Sequence, residues 1–129
     1  MSDIAGRIRP TPPSLRYVVL RHEEIEEPHF DLMFETKPGS PLVTWRSEKW
    51  PIEREVGVEK LGDHRREYLE YEGAVSGGRG VVRRITSGVY RLEIRSAEHW
   101  RLTFRDTVGF RQLELKVVQG KWVAVPGGR

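Results

Sequence analysis

His29-Phe30-Asp31-Leu32-Met33-Phe34-Glu35 alternates with a period of two. A strand places Phe30, Leu32 and Phe34 on one face, as an obvious core set, and His29, Asp31, Met33 and Glu35 on the other. Short apolar runs with the same period recur along the chain, at residues 17–22, 42–46, 56–60, 80–86, 89–95, 100–105, 112–118 and 121–125. Thirteen glycines and eight prolines punctuate them. Ser87-Gly88 and Gln119-Gly120 read as hairpin turns between successive runs. Many short strands at near-regular spacing predict an all-β protein, a compact single-domain β-barrel of about eight or nine mostly antiparallel strands. Residues 53–60 leave room for one short helix, and no window carries a helical apolar stripe over three turns.

At 129 residues and 15.0 kDa the chain fits one domain, expected over residues 15–126. Residues 1–14, with three prolines and no apolar pattern, read as a flexible arm, and 127–129 as a tail. There are no cysteines, which excludes a disulfide scaffold, a thiolate metal site and a cysteine nucleophile. No apolar run approaches the ~20 residues that span a bilayer, and no apolar signal core opens the chain. A cytoplasmic protein with no membrane partner, most simply a monomer, is expected.

The net charge of +3 is unevenly spread. Residues 1–64 carry nine Lys/Arg against twelve Asp/Glu, a net of −3, and residues 65–129 carry thirteen against seven, a net of +6. The basic half is nearly all arginine, whose planar fork suits phosphate. A nucleic-acid partner and an ordinarily solvated arginine-rich surface both satisfy this composition.

Chemistry concentrates in two places. If strands 17–22 and 29–35 form an antiparallel hairpin, His22 and His29 sit opposite each other at its mouth, with Cβ atoms about 4.5–5.5 Å apart. Asp31 lies two residues further along the same face. Two imidazoles and a carboxylate suit a divalent transition metal with open coordination positions, although surface strands also carry such residues with no metal. The second cluster is Asp63-His64-Arg65-Arg66-Glu67-Tyr68, followed by Tyr71-Glu72-Gly73. If extended, it puts His64, Arg66 and Tyr68 on one face, a set able to hold and protonate a phosphate; a charged loop is the plainer alternative. Ser76-Gly77-Gly78-Arg79-Gly80 lacks the Lys-Ser/Thr ending of a nucleotide-binding loop and reads as a hairpin turn.

Taken in order, these pieces resemble the 3′-phosphoesterase domain of bacterial DNA ligase D, which also occurs as a standalone protein. The matching motifs are Arg21-His22, His29-Phe30-Asp31-Leu32, the tryptophan strand Leu42–Trp45, Asp63-His64 with Tyr68, and Tyr71-Glu72-Gly73. A glycine turn at 77–82, Leu102-Thr103-Phe104 and Gly120-Lys121-Trp122 complete the set, from about Tyr17 to Val125. The resemblance implies a β-barrel that uses manganese to trim 3′-phosphates or terminal ribonucleotides from DNA or RNA–DNA ends. A DNA ligase or polymerase would act next. It implies His22, His29 and Asp31 as metal ligands, with His64 and Tyr68 contacting the scissile phosphate. Two features depart from the family pattern. Met33 stands where the family has a phosphate-gripping arginine, and the loop between the two histidines is one residue longer. Arg46, Arg54 and Arg66 are the candidates to supply that charge from elsewhere. Met33 keeps open an alternative, a non-catalytic β-barrel module that binds DNA ends or a repair protein through a degenerate metal site.

Overall fold

The computed structural model describes residues 14–105 and 111–127. The arm expected at 1–14 lies outside the described residues apart from Ser14, as does the tail beyond Gly127. Among the described residues ten strands form one antiparallel sheet. In chain order they are β1 (Leu15–Glu23), β2 (His29–Glu35), β3 (Leu42–Ser47), β4 (Val56–Gly57), β5 (Glu59–Lys60), β6 (Gly73–Ala74), β7 (Val81–Arg95), β8 (His99–Phe104), β9 (Gln112–Val118) and β10 (Lys121–Gly127). A single 3₁₀ turn, Arg66–Leu69, stands between β5 and β6. No helix among the described residues is long and apolar enough to cross a membrane.

The order across the sheet is β4-β10-β9-β8-β7-β1-β2-β3-β5, with β6 paired to β7. The sheet curls strongly. Trp45 of β3 and Trp122 of β10 lie near opposite ends of this order, yet their ring centroids are 5.4 Å apart. It is not, however, closed into the expected barrel. Its two ends, β4 and β5, are successive pieces of one segment, each paired over only two residues. Between them the Val58 N–H donates to the Trp122 carbonyl at 3.1 Å. Residues 56–60 thus bridge the ends without a continuous ladder, and the helix allowed for at 53–60 is absent.

Ser87-Gly88 is not a turn. β7 runs unbroken from Val81 to Arg95, pairing with β1 along its first part and β8 along its second. Gln119-Gly120 does turn the chain between β9 and β10, with both residues at positive φ. The glycine segment 76–80 is the expected hairpin loop, joining β6 to β7.

The sheet buries both faces, and this sets the site's surroundings. The concave face holds the main core: Tyr17, Val19, Leu32, Phe34, Trp45, Tyr90, Trp100, Leu102, Phe104, Leu113 and Leu115 among others. The aromatic rings there meet mostly edge to face, as their quadrupoles favour. On the other face Val18, Leu20, Met33, Leu42 and Val82 are covered by Leu69 and Tyr68 of the 3₁₀ turn and by Val75. The His29/Asp31/Met33/Glu35 face of β2 is therefore roofed.

Candidate metal centre and phosphate cleft

β1 and β2 pair antiparallel with His22 directly opposite His29, and Leu20 opposite Asp31. The expected hairpin geometry holds, and the imidazole centroids are 5.2 Å apart. Asp31 is 3% exposed and His29 7%. His22 Nδ1 lies 3.9 Å from Asp31 Oδ2, and His29 Nε2 lies 3.2 Å from Oδ1. One ligand atom from each of the three residues falls within a 4.8 Å cluster.

Hydrogen bonds fix which nitrogens face inward. A carbonyl only accepts, so His22 donates Nε2–H to the Arg79 carbonyl at 2.7 Å, and His29 donates Nδ1–H to the Glu27 carbonyl at 2.9 Å. The remaining lone pairs, on His22 Nδ1 and His29 Nε2, are the atoms nearest Asp31. Backbone carbonyls orienting imidazoles in this way are the usual support of metal-ligating histidines. Asp31 Oδ1 is buried and accepts no hydrogen bond. A buried carboxylate oxygen beside two nitrogen lone pairs is costly unless a proton or a cation lies between them. Where a proton takes that place, the Asp31 carboxylate holds the His29 imidazole above its ordinary value of 6.5, against the opposing effect of burial. Two imidazoles and a carboxylate, with a buried oxygen left unpartnered, fit a divalent transition ion.

The second cluster folds onto the first. His64 bridges to β3, its N–H donating to the Leu42 carbonyl at 2.8 Å and its carbonyl accepting from the Leu42 N–H at 2.9 Å. Its Nδ1–H donates to the Gly62 carbonyl at 3.0 Å, leaving Nε2 free for a ligand. The Tyr68 ring packs edge-on to His64, with centroids 6.0 Å apart. A cleft of about 420 Å³ is lined by His22, Asp31, Met33, Asp63, His64, Tyr68 and Arg79, among others. His29 does not line it but lies beside Asp31, 3.2 Å from its carboxylate.

The three arginines named from sequence are placed elsewhere. The segment after Arg65 is a 3₁₀ turn rather than a strand, so Arg66 does not alternate with His64 and Tyr68. Its guanidinium instead pairs with buried Glu35 and donates to the Ser40 carbonyl at 3.2 Å. Arg46 sits beside Asp31 in the β2–β3 register but is paired with Glu27. Arg54 lines a different pocket, with Lys49, Ile52 and Val56. The cations in the cleft are Arg65 and Arg79. Arg79 belongs to the glycine loop, where its one sequence signal is an arginine flanked by glycines just ahead of a strand.

No protein-family model matches this chain, and a search of curated proteins finds no match.

Proposed function

We propose that the protein is a metal-dependent phosphoesterase acting on nucleic-acid 3′ ends, removing a 3′-phosphate or terminal ribonucleotide to leave a 3′-hydroxyl in DNA end repair. The observation that carries this reading is the single cleft shared by His22 and Asp31 with His64, Tyr68 and Arg79. His22 Nδ1, His29 Nε2 and Asp31 would hold manganese or another divalent transition ion. When bound, that ion supplies Lewis acidity at a phosphate oxygen. In hydrolysis of a 3′-phosphate, the oxygen of water forms the new bond to phosphorus and the bond to the 3′ oxygen breaks. His64 would pass a proton from Nε2 to that leaving oxygen and regain one from the attacking water by way of solvent, while its Nδ1–H stays on the Gly62 carbonyl and keeps the ring aimed. The Tyr68 hydroxyl donates a hydrogen bond to the phosphoryl group. The ordered resemblance to the ligase D 3′-phosphoesterase domain supports the same substrate class, a cytoplasmic setting, and a ligase or polymerase as the next enzyme.

A primer-end assay tests it. A 3′-phosphorylated primer–template incubated with Mn²⁺ is expected to yield a 3′-hydroxyl, and conversion is lost in EDTA and in His29→Ala. Met33 favours the second reading, a non-catalytic module binding DNA ends or a repair protein. It is buried at the cleft and brings a thioether, with no hydrogen to donate, to a site that would hold an anion. Binding of the same DNA with no conversion at any Mn²⁺ concentration would favour that reading.

A further inference from the structure

The geometry points to a phosphate subsite built by Arg79 with Ser76, in which one residue serves both halves of the cleft. Its main-chain carbonyl orients the His22 imidazole, and its guanidinium holds the terminal phosphate of the substrate. This rests on the phosphoesterase reading for the identity of the ligand, but the anion subsite is testable without it.

Three observations support it. First, the Arg79 guanidinium is positioned without being neutralised. Nε–H donates to the Ser76 carbonyl at 2.7 Å, and Nη2 donates to Ser76 Oγ at 3.1 Å. Of the five N–H groups of a guanidinium, these bonds use two, so three remain for a ligand. Among the described residues no carboxylate lies within ion-pair distance of Arg79, whereas Arg65, the other arginine lining the cleft, is near Glu67 at 3.5 Å. A fixed guanidinium with unused donors is prepared for an oxyanion.

Second, the loop cannot drift from the metal ligands. The Arg79 carbonyl accepts from His22 Nε2 at 2.7 Å. The next residue, Gly80, has φ +83° and lies against the end of β1, where an added Cβ would come within 2.4 Å of the Glu23 carbonyl oxygen. Only glycine permits that approach in that conformation. Gly77 and Gly78, also at positive φ, let the chain turn back so that Arg79 follows Ser76 by three residues and can bond to it.

Third, the floor supplies no anion-binding group of its own. Met33, Val75 and Val82 line the cleft without a side-chain donor. Of the two arginines that line the cleft, Arg79 is the one with no carboxylate within ion-pair distance among the described residues, so it is the guanidinium free to hold a phosphate.

Because the carbonyl and the guanidinium act separately, their roles can be separated by substitution. Arg79→Gln and Arg79→Lys keep the carbonyl and alter the fork; Arg91→Gln, an exposed site on β7 away from the cleft, matches the change in charge. Mn²⁺ binding is followed by electron paramagnetic resonance of the free ion. Inorganic phosphate binding is followed by calorimetry, and binding of 3′-phosphorylated against 3′-hydroxyl primer–template by fluorescence anisotropy in EDTA. The expected result for Arg79→Gln is a loss of about tenfold or more in phosphate affinity and in the 3′-phosphate preference, the scale of a lost charge-assisted hydrogen-bond pair. Its Mn²⁺ affinity stays within about twofold, Arg79→Lys is intermediate, and Arg91→Gln matches wild type in phosphate binding. Unchanged phosphate affinity in both Arg79 variants would overturn the subsite, and a parallel loss of Mn²⁺ affinity would reduce Arg79 to a structural residue. Arg79-dependent binding of inorganic phosphate, with no preference for 3′-phosphorylated DNA, would leave the subsite standing and reject the DNA-end substrate.

Discussion

At the residue scale the decisive atom is Asp31 Oδ1, buried, unpartnered and 3.2 Å from His29 Nε2. A metal at this position competes with a proton on His29, whose affinity for that proton is raised chiefly by the Asp31 carboxylate. Below the raised His29 value, metal binding expels one proton from this residue, so apparent affinity climbs about tenfold per pH unit. Above that value the His29 contribution levels off. Mn²⁺ titrations between about pH 6 and pH 9 are expected to show the plateau starting above 6.5, the ordinary histidine value. A plateau already complete below 6.5 would contradict the His29–Asp31 pairing. This centre was legible in sequence because strand geometry relates residues 22, 29 and 31 locally: two strands joined by a six-residue loop leave little freedom for where those side chains meet.

At the element scale, Glu35 joins the end of β2 to the roof of the cleft. Burial alone would raise its pKa, but bonds to its carboxylate outweigh that and hold it below the ordinary 4.5. The Arg16 N–H donates to Oε1 at 2.9 Å, the Arg66 guanidinium pairs with Oε2, and the Gly39 N–H donates to Oε2 at 3.3 Å. Arg66 starts the 3₁₀ turn that carries Tyr68, so this ion pair anchors the turn to the sheet. A lowered folded value means the stabilisation is complete above the unfolded value and disappears as pH falls through the folded one. Glu35→Gln is expected to cost about 1–3 kcal/mol near pH 7, the worth of hydrogen bonds to a charged group. It should also flatten the part of the acid limb lying below 4.5. Chemical denaturation of both proteins from about pH 3 to pH 7 reads both effects, and parallel pH curves would rule out Glu35 as the titrating anchor. Neither the conditional extended reading of residues 64–68 nor the plainer charged loop gave Arg66 this role, because a lone 3₁₀ turn has no periodic signature and its partners here, Leu42, Met33 and Glu35, are distant in sequence.

At the scale of the whole molecule, the sheet's two faces carry separate duties. The concave face draws its apolar side chains from β1 to β4 and β7 to β10 and from the segment that carries Trp50 and Ile52, so its loss is felt globally. The other face is local, limited to β1, β2, β3, β7 and the roof over them. Leu102, fully buried on the concave face, tests the separation. Leu102→Ala is expected to lower stability by about 2–5 kcal/mol, the range for a buried leucine truncated in a packed core. Its urea midpoint falls at unchanged slope, while Mn²⁺ affinity of the folded protein stays within about twofold. A large drop in that affinity would mean the concave core itself sets the metal geometry.

From sequence alone, the all-β class, most strand positions and the His22/His29/Asp31 group follow, because a period of two and a hairpin register are local consequences of backbone geometry. Tertiary structure decided what no local rule reaches. Ser87-Gly88 stays in strand because β1 pairs straight across it, Val18 opposite Ser87 and Tyr17 opposite Gly88, before β8 pairs from Tyr90 onward. The sheet stops short of a barrel because residues 56–60 divide their pairing between β10 and β3. His64 and Tyr68 reach the His22/Asp31 side of the sheet only because the roof packs on the convex face, and Arg79, not Arg66, enters the cleft, since buried Glu35 holds Arg66. Each of these is a long-range contest for partners, settled when the chain packs.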